Sequence, residues 1–318
     1  MKEAFFIRQH NEKWTQYENC LKNLEFQTPD DLADIYVDVT NDLSFSKTYY
    51  PNSQTTIYLN SLSIRLHQFI YGRKREKWSR FITFWTREVP LVIYKARKEL
   101  LCSLVIFVVS ALIGAFSSAN DDEFVRLIMG DYYVDMTLAN IAKEDPMAVY
   151  KDAHKGLMFI GITINNIWVS FSAFIYGIFT SIATALILIR NGIMIGTFQY
   201  FFYEHNLLWE SFLTIWIHGT LEISAIIIAG GAGITMGNSI LFPGTYSRFR
   251  SFRHGAKKGV KIIVGLIPVF IIAGFLESYV TRHTDMPDIL RLSIILLSLG
   301  LVVFYFVVWP FILVKRKA

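Results

Sequence analysis

Charge is scarce in this sequence, and so is cysteine. Only 18% of the 318 residues are charged while 53% are hydrophobic, against roughly 25% charged residues in soluble domains. The scarcity is concentrated: Gly156 to Ile189 carries no formal charge, and neither does Leu292 to Val314. A soluble core helix that is apolar on every side would need a very large protein around it. Runs of this length exceed the roughly 20 residues that cross a bilayer core. The two cysteines, Cys20 and Cys102, exclude a disulfide framework and offer no metal-ligand spacing. Met1 to Arg8 is too short for a secretory leader and polar sequence follows, so insertion is expected to begin at an internal span. There is no P-loop, GxGxxG, GxSxG, HExxH or CxxC, and each of those absences removes a class of soluble catalyst. A permease consuming ATP would need a separate ATPase subunit. No cofactor is expected.

What is present is an all-helical pattern of six spans, at about residues 100–116, 156–178, 182–203, 211–237, 259–277 and 289–314. The uncharged stretch from Gly156 is too long for one span and fits two, with a tight turn near Gly177 to Ser181. Residues 1–95 read as a helical and interfacial region and 96–318 as the transmembrane domain, with 117–155 an acid-rich segment on the far side. Within 117–155, Val125 to Ala142 has the pattern of an amphipathic helix on the outer surface.

The net charge of +5 is placed where a membrane protein sets its orientation, not where a duplex would bind. Arg248, Arg250, Arg253, Lys257, Lys258 and Lys261 lie at or between the ends of spans four and five with no acid among them. Lys315, Arg316 and Lys317 follow span six, and Arg73 to Arg80 is basic. Six spans put all three regions on one side, as the positive-inside tendency requires; five would not. The expectation is a multi-pass protein of the inner membrane, both termini cytoplasmic, in contact with the lipid bilayer and with no nucleic-acid partner.

In the N-terminal region, Pro29-Asp30-Asp31 reads as a helix start, residues 51–53 as a loop, and a further helix begins near Gln54. Trp78, Phe81, Ile82 and Trp85 share one helical face with Lys77, Arg80 and Arg87 off it, the pattern of a helix lying in the membrane interface. The plainer alternative is a helix packed on its neighbours. Pro90 is expected to bend the chain before the first span.

Six polar residues are candidates for an intramembrane site: Asn165 and Asn166 in span two, Arg190 and Asn191 in span three, His218 and Glu222 in span four. His218 and Glu222 stand four apart and share a helical face. An ionisable pair inside a span is costly unless it faces protein, water or a partner. Two readings stay open: an internal hydrogen bond that fixes packing, or a proton, ion or substrate site. Arg190 needs a counter-charge and Glu222 is the candidate. Zinc proteases place two histidines around a glutamate; here one histidine and one glutamate stand without an evident third ligand, so no metal is expected. Gly192, Gly196, Gly219, Gly230, Gly231 and Gly233 suit close helix packing or local unwinding. Glu277 ends span five at the outer face, where capping or pairing with Arg282 is its ordinary role. Pro268 is expected to kink that span.

The ordered set Asn165-Asn166, Gly177, Asn191-Gly192 with Gly196, His218-Gly219 with Glu222, and Gly230-Gly231 with Gly233 resembles the stage II sporulation protein M family. Pro268, Glu277-Ser278 and Thr281 extend the likeness, which covers about residues 95–314. The resemblance implies a multi-span membrane protein with no established catalytic activity. It also implies a place in a cell-envelope complex, as the namesake works beside peptidoglycan-degrading partners during engulfment. Relatives occur in bacteria that do not sporulate. The bundle is similar at fold level to ABC-2 type exporters, which carry six spans and an interfacial helix. That likeness is a weak guide to activity.

Three functions follow for testing. A non-enzymatic envelope component needs a packed, dry interior. A permease or lipid transporter needs a polar cavity lined by Asn165, Asn166, Arg190, His218 and Glu222. An intramembrane hydrolase needs a nucleophile or metal beside His218 and Glu222. A homodimer is the expected assembly, and residues 1–95 are the candidate docking region for cytoplasmic partners.

Overall fold

A computed structural model describes residues 2–23, 29–71, 78–148, 155–283 and 285–316. The basic stretch 72–77, residues 149–154 of the acid-rich segment, and Lys317 therefore lie outside the described residues, as does the side chain of Trp78. The described residues contain helices and turns and no strand. The chain divides into two compact units, residues 1–79 and 80–318.

The first unit contains α1 (Glu3–Asn23), α2 (Pro29–Tyr49) and α3 (Gln54–Tyr71). Helices α2 and α3 start where the proline step and the 51–53 loop put them. Their shared core buries Phe6, Trp14, Val39, Leu43, Leu59, Leu62 and Leu66. A charged group is buried beside it: Trp14 Nε1 donates to Asp42 Oδ2 at 2.8 Å, and Lys13 Nζ bridges Asp42 and Asp38 at 2.8 and 2.9 Å. Tyr17 donates to Asp38 at 2.7 Å. Burial pushes the Asp38 carboxyl up, but the bonds from Lys13 and Tyr17 outweigh it and hold it below its usual value.

The second unit opens within α4 (Trp78–Thr83), followed by a π-helical turn (Phe84–Glu88) and α5 (Val89–Lys95). Six long apolar helices match the expected spans in number and order: α6 (Arg97–Ser118), α9 (Lys155–Tyr176), α10 (Ser181–Glu204), α11 (Leu208–Leu241), α12 (Arg248–Phe275) and α13 (Asp288–Val303) with its continuation α14 (Trp309–Lys315). The tight turn between α9 and α10 falls at 177–180, and Thr180 caps α10 by accepting from the Ala183 amide. Helix α12 is continuous through Pro268.

Two features differ from expectation. The segment between α6 and α9 forms two helices, α7 (Asp122–Met129) and α8 (Asp131–Ala142), because Gly130 between them adopts φ 82°, a conformation open to glycine and strained for other residues. Arg126 then reaches across the break to Asp131 and Asp135. The unit boundary also falls at 79/80, earlier than residue 95. Val89, Ile93 and Ala96 belong to the core that contains Phe174, Ala225, Ala229 and Ile262, so α5 packs as part of the membrane unit.

The reason for that attachment is a set of displaced backbone bonds. In the π turn the Val89 amide bonds to the Phe84 carbonyl, which leaves Trp85 O without its usual partner, and Pro90 has no N–H to offer Thr86 O. Tyr305 Oη donates to Trp85 O at 2.6 Å and Trp309 Nε1 to Thr86 O at 3.0 Å. The last span thus satisfies the carbonyls that the bend before the first span releases. The same turn breaks the aromatic face: Phe81 and Ile82 are exposed, as an interfacial helix requires, while Trp85 turns half-buried against Phe81 and Phe84.

Helix α11 is the central element, with 61% of its apolar window buried against 17–39% for the other spans. Glycine lets its neighbours touch backbone. A methyl at Gly196 would run into Ala111 of α6, and one at Gly192 would meet the Phe107 carbonyl at 2.6 Å. Gly230 and Gly231 receive Leu188 and Leu100, and Gly233 meets the Ala173 carbonyl. Gly219 is the exception among the expected packing glycines, since a methyl there would meet only Ile215 and Ile223 of its own helix at 3.7 and 3.8 Å. The outward faces carry Leu112, Phe116, Leu186 and Leu297, all strongly exposed, as a lipid-facing surface requires.

Candidate functional site

Helices α9, α11 and α12 meet at one polar cluster. From α11 come His218 and Glu222, one turn apart on one face. His218 is 4% exposed. From α9 comes Asn166, whose Nδ2 donates to Glu222 Oε1 at 2.5 Å. From the end of α12 come Glu277 and Thr281. The ligand atoms of His218, Glu222 and Glu277 lie within 4.8 Å of one another, with His218 Nε2 3.9 Å from Glu277 Oε1.

The sequence reading gave Glu277 the role of an outer-face cap or a partner of Arg282; its carboxylate instead faces His218 and Glu222. Helical phase is the cause, since Glu277 follows the buried Phe270, Ala273 and Gly274 by seven, four and three residues, and a second π-helical turn, Leu276–Val280, closes α12 there. Such turns are rare and concentrate at functional sites. This one sets Thr281 under the Leu276 carbonyl, which accepts from both the Thr281 amide at 2.8 Å and its hydroxyl at 3.2 Å. Because the hydroxyl proton goes to Leu276 O, Thr281 Oγ1 is free to accept, and His218 Nδ1 lies 3.0 Å from it. That contact assigns the imidazole proton to Nδ1 and turns Nε2 toward Glu277. Sequence reasoning missed Glu277 and Thr281 as site members. The available signal was a carboxylate inside the apolar run before Val280, which needs a partner for the reason His218 and Glu222 do.

The structure brings together Asn166, His218 and Glu222 of the six expected polar residues. It does not bring in the other three. Asn165 is exposed on α9. Arg190 is exposed on α10 and, among the described residues, forms no ion pair. The expected Arg190–Glu222 pairing is thus replaced by Asn166 and Glu277 as the neighbours of Glu222. Asn191 Nδ2 spends its donor on Ile187 O of its own helix. Arg190 and Asn191 line a separate groove of about 670 Å³ with Trp168, Ser172 and Tyr176. The reason is helical phase: on α10 the face toward α6 is taken by Gly192 and Gly196, and Arg190 falls outside it.

Chemically the cluster can tie three spans together, share a proton, or hold a cation. The sequence Thr281–His218–Glu277 also has the composition of a hydroxyl–imidazole–carboxylate relay. Thr281, however, is 1% exposed and gives its proton to a backbone carbonyl, so it is poorly placed to attack a substrate. Four buried hydroxyls on the same helices, Thr163, Ser170, Thr214 and Ser278, have no hydrogen-bond partner among the described residues.

Six spans, five of them around the central α11, with a buried histidine–glutamate–glutamate cluster joining the second, fourth and fifth, define an all-helical multi-pass membrane protein. The chain belongs to the Stage II sporulation protein M family, which matches residues 103–282. A domain of unknown function, DUF8413, matches residues 4–72. No curated protein and no solved structure matches the chain.

Proposed function

We propose that this protein is a non-enzymatic membrane component of a cell-envelope complex that acts with peptidoglycan-remodelling partners, in which the six-span unit anchors and the N-terminal helical unit docks cytoplasmic partners. The observation that supports the reading is the packed interior around α11, where glycine contacts close the spaces between spans. The residues a permease would gather into one polar cavity are instead divided between the cluster and the α9–α10 groove. The family's own namesake role points the same way.

Both termini lie in the cytoplasm in this reading, since the basic residues from Arg248 to Lys261 join spans four and five on that side. A second copy covers the α9–α10 face. An arginine at mid-span costs about 2.5–3.5 kcal/mol on insertion scales, and covering Arg190 and Asn165 reduces that cost. The small-residue faces of α10 and α11 are already used within the chain.

The test is site-specific photo-crosslinking from residues of α2 and α3 of the full chain in its native membrane. Cytoplasmic proteins of the envelope complex are the expected captures there, and peptidoglycan hydrolases or synthases are expected from the exposed Leu127 and Tyr132 on the far side of the spans. Substrate flux into proteoliposomes that Glu222→Gln abolishes would overturn the reading. For assembly, Leu186→Cys should give a disulfide-linked dimer in membranes, and a monomer under oxidation would remove the proposed face.

A further inference from the structure

We infer that His218, Glu222 and Glu277 form a binding site for one divalent first-row cation, Zn²⁺ or Mn²⁺, inside the membrane unit. This goes beyond the envelope role and does not depend on it. Four observations converge.

The first is the donor set. One imidazole nitrogen and two carboxylates are the ligands such cations take, and they converge here from two separate helices. A tetrahedral site with bonds of about 2 Å spaces its donors by about 3.3 Å. The observed His218–Glu277 separation of 3.9 Å and the 4.8 Å limit for the whole set require only rotamer-scale closure.

Charge is the second. Among the described residues neither glutamate pairs with a lysine or arginine. Two carboxylates in a water-poor interior need positive charge between them. A dication with two carboxylates and a neutral imidazole makes the cluster electrically neutral, which no arrangement of the protein groups alone does while both acids are ionised.

The third is the set of supporting contacts. Metal-binding histidines donate their other N–H to a fixed acceptor, which sets the tautomer, and ligating carboxylates are themselves hydrogen-bonded. Thr281 Oγ1 stands at His218 Nδ1 and leaves Nε2 toward the carboxylates; Asn166 Nδ2 holds one oxygen of Glu222. Both supports are in place, on different helices.

The fourth lies in the hydroxyls. Thr214 precedes His218 by one turn on the same face of α11, and Thr163 precedes Asn166 by one turn on α9. Both are buried and, among the described residues, without hydrogen-bond partners. Buried polar groups in that state call for water or an ion, and water held by them completes the coordination of a cation that has three protein donors.

The experiment uses the full chain purified in detergent, stripped with chelator, then dialysed against ZnCl₂ or MnCl₂ and assayed by elemental analysis and by thermal unfolding. The expected result is about one metal per chain and an upward shift in Tm on loading. Glu277→Gln and His218→Ala should abolish both. Asn166→Ala should weaken binding by about 10- to 100-fold, the usual effect of losing a supporting contact. Glu222→Gln keeps the shape and an acceptor for Asn166, so it should run as a folded species in gel filtration yet lose the metal. No metal retained by the wild-type chain, or equal retention by folded Glu222→Gln and Glu277→Gln, would overturn the site and leave a shared proton as the cluster's content. Neither result bears on partner crosslinking from α2 and α3.

Discussion

Asn166 and Glu222 join the second span to the fourth by a hydrogen bond of 2.5 Å, made inside the bilayer region by two side chains 56 residues apart. It is the shortest polar link between α9 and α11 among the described side-chain bonds, and it aims a carboxylate that would otherwise be free to turn.

Removing the donor should therefore be costly. Asn166→Ala leaves a half-buried carboxylate oxygen without its partner, at about 1–3 kcal/mol. Thermal unfolding of the purified protein should show a clear drop in Tm, whereas Asn165→Ala, one residue away on the exposed side of α9, should leave Tm nearly unchanged. Equal effects from the two would mean the bond is not formed.

The glycine contacts predict a second contrast. Gly196→Leu must push α10 off Ala111, so overpacking of more than about 3 kcal/mol is expected and the protein should fail to accumulate in membranes. Gly219→Ala meets only ordinary contacts, and it should accumulate normally and gain slightly in helix propensity. Immunoblots of membrane fractions distinguish the two.

The bend before the first span is tied to α12 by Lys261 Nζ, which donates to Glu88 Oε2 at 2.5 Å. That bond and the Lys261 charge hold the Glu88 carboxyl below its usual range. A depressed carboxyl contributes stability that is complete above its unfolded value, about 4.3, and is lost as pH falls through the folded value. Unfolding temperatures measured from pH 7 downward should fall in acid less steeply for Glu88→Gln than for the wild type. At pH 7 Glu88→Lys should cost about 1 kcal/mol, and the double reversal with Lys261→Glu should recover most of it.

In the N-terminal unit the prediction concerns Asp42, which serves both Trp14 and Lys13. Asp42→Ala strands the indole N–H of a 2% exposed tryptophan and one partner of Lys13. A loss of about 1–3 kcal/mol follows. Limited proteolysis of the full chain should cut α1 to α3 faster while leaving the spans intact. Asp42→Asn keeps an acceptor for Trp14 and should lie between.

Span number, order and the turn at 177–180 were legible because hydrocarbon imposes one simple demand, length without charge, and the sequence satisfies it six times. The His218–Glu222 face was legible for the same reason in reverse. The partners of that face were not. Asn166 and Asn165 are adjacent and chemically identical, and only helical phase decides which points inward. Glu277 shares the face of Phe270, Ala273 and Gly274 by spacing alone, and its nearness to the polar sequence after Val280 is what made it read as a cap. Arg190 read as a buried cation because it interrupts a long apolar run, yet Gly192 and Gly196 claim the inward face of α10 for α6. Gly130 breaks what the hydrophobic pattern runs together.

The pairing of Trp85 and Thr86 with Tyr305 and Trp309 has a bearing on biogenesis. The two carbonyls are synthesised some 220 residues before the side chains that satisfy them, so a nascent chain holding only the early helices leaves those acceptors to water or headgroups. The entry bend can lock only after the final helix arrives, which makes closure at this seam a late checkpoint during insertion. A ribosome-stalled intermediate lacking residues 305–309 should accordingly present α4 and α5 to protease, and the released full-length chain should hide them.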